Sequence, residues 1–508
     1  MTTPVPRRFA ALAGLVAGGL AVTIGMLVAA ITEVVSPIDA VGSEVIDRSP
    51  RWLKEFAIRE FGTDDKLALR IGIISILAIA AVGVGIAAAR RRWVGVAGIG
   101  LFGLVGALAA VHRPGEGAGA ALPSILGAVV GSAVLVRMTR PRPIETPGPS
   151  QAPLGWDRRR FLTTTGLVAV GATVAGGVAR AIEGRRVDSI RRATRVPLPD
   201  TLEPTESPDI PPGAEVFDET PFVTPNDDFY RIDTALSFPS VDIDSWSVEI
   251  NGKVDTPLRL TYADLLALPQ VERVVTLCCV SNEVGGEYIG NAVWRGVMLR
   301  DLLEQAGVQA DAEQVYSTSL DGWTCGFPVA AAFDGRDAMI AIGMNGEALP
   351  LEHGYPARLV VPGLYGYVSA TKWLSKIELT TWDKEGYWVP RGWSALGPIK
   401  TQSRIDVPYT SKVAAGKQAI AGVAWAQFRG IEKVEVRIDE GEWQLATLGA
   451  DVSDDAWRQW LLEWDATPGL HLLRVRATDK SGETQTEETA PVAPDGATGY
   501  HMVRVKVE

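Results

Sequence analysis

The sequence predicts a three-part chain: an N-terminal α-helical transmembrane bundle of about five spans, an α+β domain, and a C-terminal immunoglobulin-like β-sandwich. Three observations carry this. Long uncharged apolar runs are confined to the first ~180 residues, where each is close to the ~20 residues a helix needs to cross hydrocarbon. Residues 1–195 hold 24 Lys and Arg against 13 Asp and Glu, whereas residues 196–508 hold 25 against 47. Short strand and helix patterns alternate from about residue 224, and only strands follow residue 418.

With 508 residues, 47% of them hydrophobic, and a mean hydropathy of +0.12, the chain is too apolar to be disordered and unusually apolar for a soluble protein. The acidic second part excludes nucleic-acid binding, which needs clustered cations. The three cysteines, Cys278, Cys279 and Cys325, include an adjacent pair and cannot form a disulfide framework. Four histidines are too few for a multi-histidine metal cluster. No span supplies two histidines and no Cys-x-x-Cys-His occurs, so no haem motif is found.

The expected spans are 9–31, 71–89, 93–111, 118–136 and 161–179, with small residues such as Gly14, Gly18, Gly171 and Gly176 allowing close helix approach. Arg7 and Arg8, Arg90 to Arg92, and six arginines between spans four and five put the N-terminus in the cytoplasm. Five crossings then place the remainder outside, although six more arginines from Arg180 to Arg195 oppose that orientation of the last span. Arg158-Arg159-Arg160-Phe161-Leu162 resembles an internal twin-arginine export signal, or equally a basic stop before an ordinary span. The 34 residues from 33 to 66, with eight acids and five bases, read as a solvated outer loop. Eight prolines between 196 and 225 read as an extended tether.

In the α+β part, residues 246–252 form a strand, Thr261-x-x-Asp264 opens a helix with a capping box, and a second helix stops at Gly307. Strands are expected at 418–426, 434–439, 443–448, 457–464, 471–477 and 501–507.

Two segments can carry chemistry. In the first, a strand from Val275 runs into Cys278-Cys279 and a polar, glycine-rich loop. A strand-end thiolate is a soft metal ligand, while a buried cysteine is more often a small core residue. In the second, His353, Arg358 and Lys372 flank an apolar strand and a glycine loop, a layout able to hold a phosphate with cationic and backbone donors, or else solvated strand-end charge.

Taken together, Thr276-Leu-x-Cys279-x-x-Asn282, Trp294-Arg-Gly-Val-x-Leu-x-Asp-Leu-Leu303, Met344-Asn-Gly-Glu-x-Leu-Pro-x-x-His-Gly-x-Pro-x-Arg358, Val361-Pro-Gly363 and Lys372-Trp373 resemble the sulfite-oxidase-type molybdopterin oxidoreductases. The likeness spans about residues 220 to 508 and includes that family's dimerisation-type β-sandwich. It implies membrane-anchored residues 1–182 with the Arg-Arg signal near 158–162, a linker 183–222, a molybdopterin-binding catalytic domain 223–408 and a β-sandwich 409–508. It further implies Cys279, not Cys278, as the molybdenum ligand, with Arg231 on the substrate side. Phe229, Tyr230, Arg231, Asp321, His353, Arg358, Thr371 and Lys372 then contact the pterin or its phosphate. Cys278 and Cys325 are left as structural thiols.

The departures shape the functional expectation. Where the family continues with Asn-Arg-Arg, this chain has Asn282-Glu283-Val284, and Ile342 replaces a tyrosine beside the metal. Fewer cations and an added carboxylate disfavour a dianion such as sulfite. The expected activity is therefore oxygen-atom transfer on a small, non-sulfite substrate such as a sulfoxide, outside the cytoplasm, with electrons exchanged with a quinone or cytochrome partner. The alternatives are a sulfite dehydrogenase of the same family and a cofactor-free extracytoplasmic scaffold. The β-sandwich would either form a homodimer or cover the catalytic domain of a monomer.

Overall fold

In this computed structural model the described residues are 5–508 except 51–52, 54–55, 57–59, 61–64, 114–115, 141, 144–153, 156–157, 195–197, 199–203, 240 and 409–411. The chain divides into two compact units, Met1–Ile190 with Thr234–Ser240, and Arg191–Asp233 with Val241–Glu508.

The first unit is helical. Five helices are long and apolar enough to cross a membrane, at Arg7–Thr32, Lys66–Arg90, Arg92–Val111, Ala118–Thr139 and Arg158–Ser189. These contain helices α1 (Arg7–Thr32), α3 (Asp65–Arg90), α4 (Arg92–Val111), α5 (Leu122–Thr139) and α6 (Arg158–Thr194), with α2 (Pro37–Arg48) between the first two. Lipid offers no hydrophobic drive between helices, so close packing must come from small side chains. At Gly14 of α1 an added Cβ would lie 2.0 Å from the Ala81 carbonyl oxygen, and at Gly85 of α3 one would lie 2.2 Å from that of Ala10.

Two expectations for this region are corrected. The solvated loop 33–66 contains α2, because Ser36 caps it by accepting from the Asp39 N–H at 3.1 Å and Pro37 occupies its first turn. The loop's remaining residues lie partly outside the described ones. Asp39 is buried and pairs with Arg70 at 2.8 Å, and the same guanidinium donates to the Leu236 carbonyl at 2.5 Å. Residues 234–240, expected in the catalytic domain, therefore group with the helical unit.

The second unit begins with segment 204–222, which is packed and not a free tether. The Thr205 N–H donates to the Gln270 carbonyl at 2.8 Å, and Ala214, Phe217 and Phe222 are buried. The prolines forbid regular structure but leave apolar side chains free to dock. Helix α6 runs to Thr194, through the expected start of the linker, and residues 195–197 and 199–203 lie outside the described ones.

Strands β1 (Ser247–Gly252), β2 (Leu258–Thr261), β3 (Val271–Cys278), β4 (Ile289–Met298), β5 (Gln314–Ser319), β6 (Thr324–Pro328), β7 (Met339–Met344), β8 (Arg358–Val360) and β9 (Leu374–Thr380) form two sheets. One runs β7-β4-β3 with β8 on β7, all antiparallel; the other runs β2-β1-β9-β5-β6, with β1 and β9 parallel. Helix α7 (Tyr262–Ala267) has the Thr261–Asp264 capping box, and α8 (Leu299–Ala306) ends at left-handed Gly307, both as the sequence predicts. The first sheet is apolar on both faces. One face joins the core containing Val274, Cys278, Ile340 and Ile342, and the other holds Val275, Leu277, Trp294 and Phe229.

The C-terminal region is all β. Strands β10 (Gln402–Val407), β11 (Gly416–Trp425) and β13 (Arg458–Ala466) form one sheet, while β12 (Ile431–Ile438), β14 (Gly469–Asp479) and β15 (His501–Val507) form the other. Ile420, Trp460 and Trp464 from the first meet Val434, Val436, Leu473, Val475 and Val505 from the second in one core. The six expected strand positions match, except that 443–448 is broken into two short pairings.

The α1–α3 contact gives a direct expectation. Gly14→Val should lower the thermal unfolding midpoint of the detergent-solubilised protein by several degrees, read by tryptophan fluorescence, whereas Gly19→Val, with nothing within 4 Å, should leave it unchanged. Equal effects would contradict the close crossing.

Candidate active site: a buried thiol beside buried cations

The site is built where β3 ends. Side chains alternate across a strand, so Val275 and Leu277 face one core while Val274 and Cys278 face the other. Cys278 is thereby committed to the interior, and its Sγ donates to the Cys279 carbonyl at 3.5 Å. Cys279 sits just beyond the strand in a loop, and its Sγ accepts from the Ser281 N–H at 3.4 Å. Burial raises the pKa of both thiols, most strongly that of Cys278, where Cys279 adds to the effect. The Ser281 donors partly offset the shift at Cys279. A thiolate there needs a cationic partner, which a soft metal ion provides.

Around these thiols the structure gathers residues from four segments. Phe229 and Tyr230 stack at 5.2 Å between centroids, and Phe229 meets Trp294 and His353 edge-on at 5.7 and 5.4 Å. Tyr230 is wholly buried; desolvation raises its pKa, the two thiols raise it further, and Arg358 opposes them. His353 Nε2 bonds to the Asn226 carbonyl at 2.9 Å, and burial depresses its pKa to about 4, with Arg358 and Lys372 contributing. The imidazole is therefore neutral at pH 7, and the Nε2 carries the proton that the carbonyl accepts.

The cations are the strongest feature. Arg358 on β8 donates to the His353 carbonyl at 3.0 Å and the Leu359 carbonyl at 3.4 Å, and lies 4.8 Å from the Trp294 ring centroid. No carboxylate bonds it among the described residues. Burial lowers its pKa to about 10 and that of Lys372 to about 8. Lys372 donates to Asp233 at 2.8 Å and to the Glu352 carbonyl at 3.1 Å. Arg231 binds the same Asp233 at 2.8 Å. Two buried cations share one carboxylate with a half-exposed arginine, so the cluster has an excess of positive charge suited to a phosphate.

Two expected contacts are placed differently. Thr371 is fully buried, but its hydroxyl is 2.7 Å from Ser317 Oγ and 3.1 Å from Cys325 Sγ, within the core. The Asp321 carboxylate accepts from the Trp323 N–H at 3.1 Å, in a turn adjoining Lys372-Trp373 through the Leu320 N–H to Trp373 carbonyl bond. Ile342 is fully buried in the core that also holds Cys278 and Tyr365.

Several residues were not singled out from the sequence. Asp233 and Asn226 flank the Phe229-Tyr230-Arg231 run and position Lys372 and His353. Tyr365 feels both thiols, and burial followed by Cys278 raises its pKa. Its signal was visible in the Gly363-Leu-Tyr-Gly-Tyr367 loop, quoted without a role for this ring. Arg404 gave no sequence signal.

With this geometry in view, the comparisons with known proteins are informative. Residues 235–388 match the family model described as the oxidoreductase molybdopterin binding domain. The chain is 29% identical over 331 residues to human mitochondrial sulfite oxidase, covering 55% of this chain and 60% of that protein. It is 36% identical over 156 residues to the uncharacterized oxidoreductase YuiH of Bacillus subtilis, covering 31% of this chain and 76% of the relative. The chain belongs to the sulfite-oxidase-type molybdopterin oxidoreductases. The family's cofactor is molybdopterin. Among solved structures, the sulfane dehydrogenase SoxCD of Paracoccus pantotrophus is similar with a TM-score of 0.50 and 27% identity, over 58% of this chain and 83% of that one. The donor set fits the cofactor: a buried strand-end thiol for the metal, and buried Arg358 and Lys372 for the pterin phosphate.

His353 links the site to acid stability. Its unfolded pKa of 6.5 exceeds the folded value of about 4, so the unfolded chain binds more protons between these values. Stability from its neutral state is present above pH 6.5 and lost as pH falls toward 4, a window of roughly 3 kcal/mol at most. His353→Gln should flatten the fall of the unfolding midpoint between pH 7 and 4.5; an unchanged slope would contradict the burial argument.

Proposed function

We propose that the chain is a membrane-anchored oxidoreductase transferring oxygen atoms at a molybdenum ion ligated by Cys279, with its catalytic part facing the extracytoplasmic side. The observation that carries this reading is the buried Cys279 thiol near a cluster of buried cations led by Arg358. Phe229, Tyr230, Arg231, Asp321, His353, Arg358, Thr371 and Lys372 are proposed to surround the pterin, with Arg231 also facing the substrate. The bound cofactor supplies the two-electron chemistry of oxygen-atom transfer. The protein holds it, keeps His353 neutral as a donor and excludes water from the thiols.

The proposed substrate is a small neutral molecule such as a sulfoxide. Glu283 and Val284 replace the cations of the family's loop, and Glu283 is exposed. Reducing a sulfoxide takes two electrons and two protons and releases a thioether and water, so an electron donor of the quinol or cytochrome class is proposed as partner. Homodimerisation through the β-region belongs to the same proposal. Prior loading of the cofactor explains why an exposed Arg158-Arg159-Arg160 would serve folded-protein export. Human sulfite oxidase and SoxCD carry other substrates in their names, and this chain spans 60% of the human protein's length.

The test adds sulfite or methionine sulfoxide to the purified holoprotein and follows the molybdenum spectrum. The expected result is reoxidation of the dithionite-reduced centre by methionine sulfoxide and no reduction of the oxidised centre by sulfite. Rapid reduction by sulfite would replace the proposal with a sulfite dehydrogenase.

A further inference from the structure

The loop that follows Cys279 is held from two sides. Its own backbone provides the first: the Asn282 N–H donates to the Cys279 carbonyl at 3.0 Å, the Cys279 N–H to the Tyr288 carbonyl at 2.9 Å, and the Tyr288 N–H to Asn282 Oδ1 at 2.8 Å. The second hold comes from the β-region. Arg404 of β10 donates from Nη1 to the Gly286 carbonyl at 2.9 Å, while its Nε and Nη2 grip the two oxygens of Asp406 at 2.5 and 3.2 Å. Asp406 is held in turn by the Thr220 hydroxyl at 2.8 Å. Both charged side chains are only 12% exposed.

A third contact fixes the angle of approach. His501 Nδ1 accepts from the Ile405 N–H at 2.9 Å, and the ring lies where a Cβ on Gly285 would be 2.3 Å from its Cδ2. Gly285 has φ +79°, so loop and ring leave no room for another residue there. The β-region therefore grips two consecutive glycines of the loop, one by hydrogen bond and one by ring contact.

We infer that Arg404 is a positioning residue for the cysteine loop: through the Gly286 carbonyl, with Asp406 orienting its guanidinium and His501 backing Gly285, it fixes the backbone that aims Cys279. Burying an ion pair is costly and an apolar contact would fill the same space, so the use of the pair lies in geometry. The planar guanidinium spends two nitrogens on Asp406, which leaves the third pointing in one direction only. The cation that grips the loop is thereby neutralised by its own carboxylate. It restrains the loop without restoring the positive charge missing at Glu283 and Val284. The charge of Arg404 also reaches the thiol pair, where it opposes the effect of burial on Cys278.

This inference rests on Cys279 being the ligand, so the test reads the thiols themselves and not turnover. The full chain, produced in a host unable to make molybdopterin, is treated with iodoacetamide under native conditions, and alkylation of each cysteine is followed by mass spectrometry. In wild type all three buried thiols should react slowly. Arg404→Ala should raise the rate at Cys279 about tenfold or more by local opening, with Cys325, held by Ser317 and Thr371, unchanged. Arg404→Lys, which keeps a donor but not the fork, should fall between. Asp406→Asn preserves shape and gives the same local pattern more weakly, and it carries the test if Arg404→Ala does not fold. An unchanged rate at Cys279 in these variants, or a parallel rise at Cys325, would overturn the assignment. Failure of metal binding in the holoprotein would bear on the proposed function and leave this readout intact.

Discussion

Everything at the site depends on the alternation of side chains along β3. The strand is buried on both faces, so each residue must enter one core or the other, and Cys278 enters the core shared by Val274 and Ile342. The first position free of that constraint is Cys279, where the chain leaves the sheet and a backbone N–H is available to the sulfur. Adjacent cysteines thus acquire different fates from strand geometry alone. The inner one is a small apolar residue with a strongly raised pKa, and the outer one is a thiol awaiting a cationic partner.

Charge completes what geometry begins. A buried guanidinium is tolerated only with compensation, and Arg358 finds two carbonyls and the face of Trp294. Lys372 and Arg231 converge on one Asp233. The neutrality of His353 follows from these neighbours and from burial, since a third cation would be repelled. The chain stores positive charge where a phosphate belongs, and withholds it from the loop after Cys279, where a dianionic substrate would have needed it.

Much of this was legible in the sequence. The spans were visible because apolar length is a one-dimensional property, and the capping box at Thr261 and the stop at Gly307 are local signals. Cys279, His353, Arg358 and Lys372 stood out because chemistry and motif agreed. What was hidden depended on tertiary partners. Asp39 pairs with Arg70, 31 residues away, and turned a loop reading into a capped helix. Segment 204–222 reads as a tether by its prolines, yet its few aromatics dock. The reach of Arg404 to Gly286 crosses 118 residues and two sheets, and no pattern near either residue announces it. Thr371 fits a cofactor motif by position, but its hydroxyl turns inward to Ser317 and Cys325.

The account's central claim is that one thiol of the adjacent pair is a metal ligand and the other is not. The most direct measurement is molybdenum per polypeptide, by elemental analysis with the metal spectrum, for wild type, Cys279→Ser and Cys278→Ser expressed in a host that makes the cofactor. The account predicts about one atom in wild type and in Cys278→Ser, with a depleted or altered centre only in Cys279→Ser. Molybdenum absent from all three folded proteins, or a disturbed centre in Cys278→Ser alone, would contradict it.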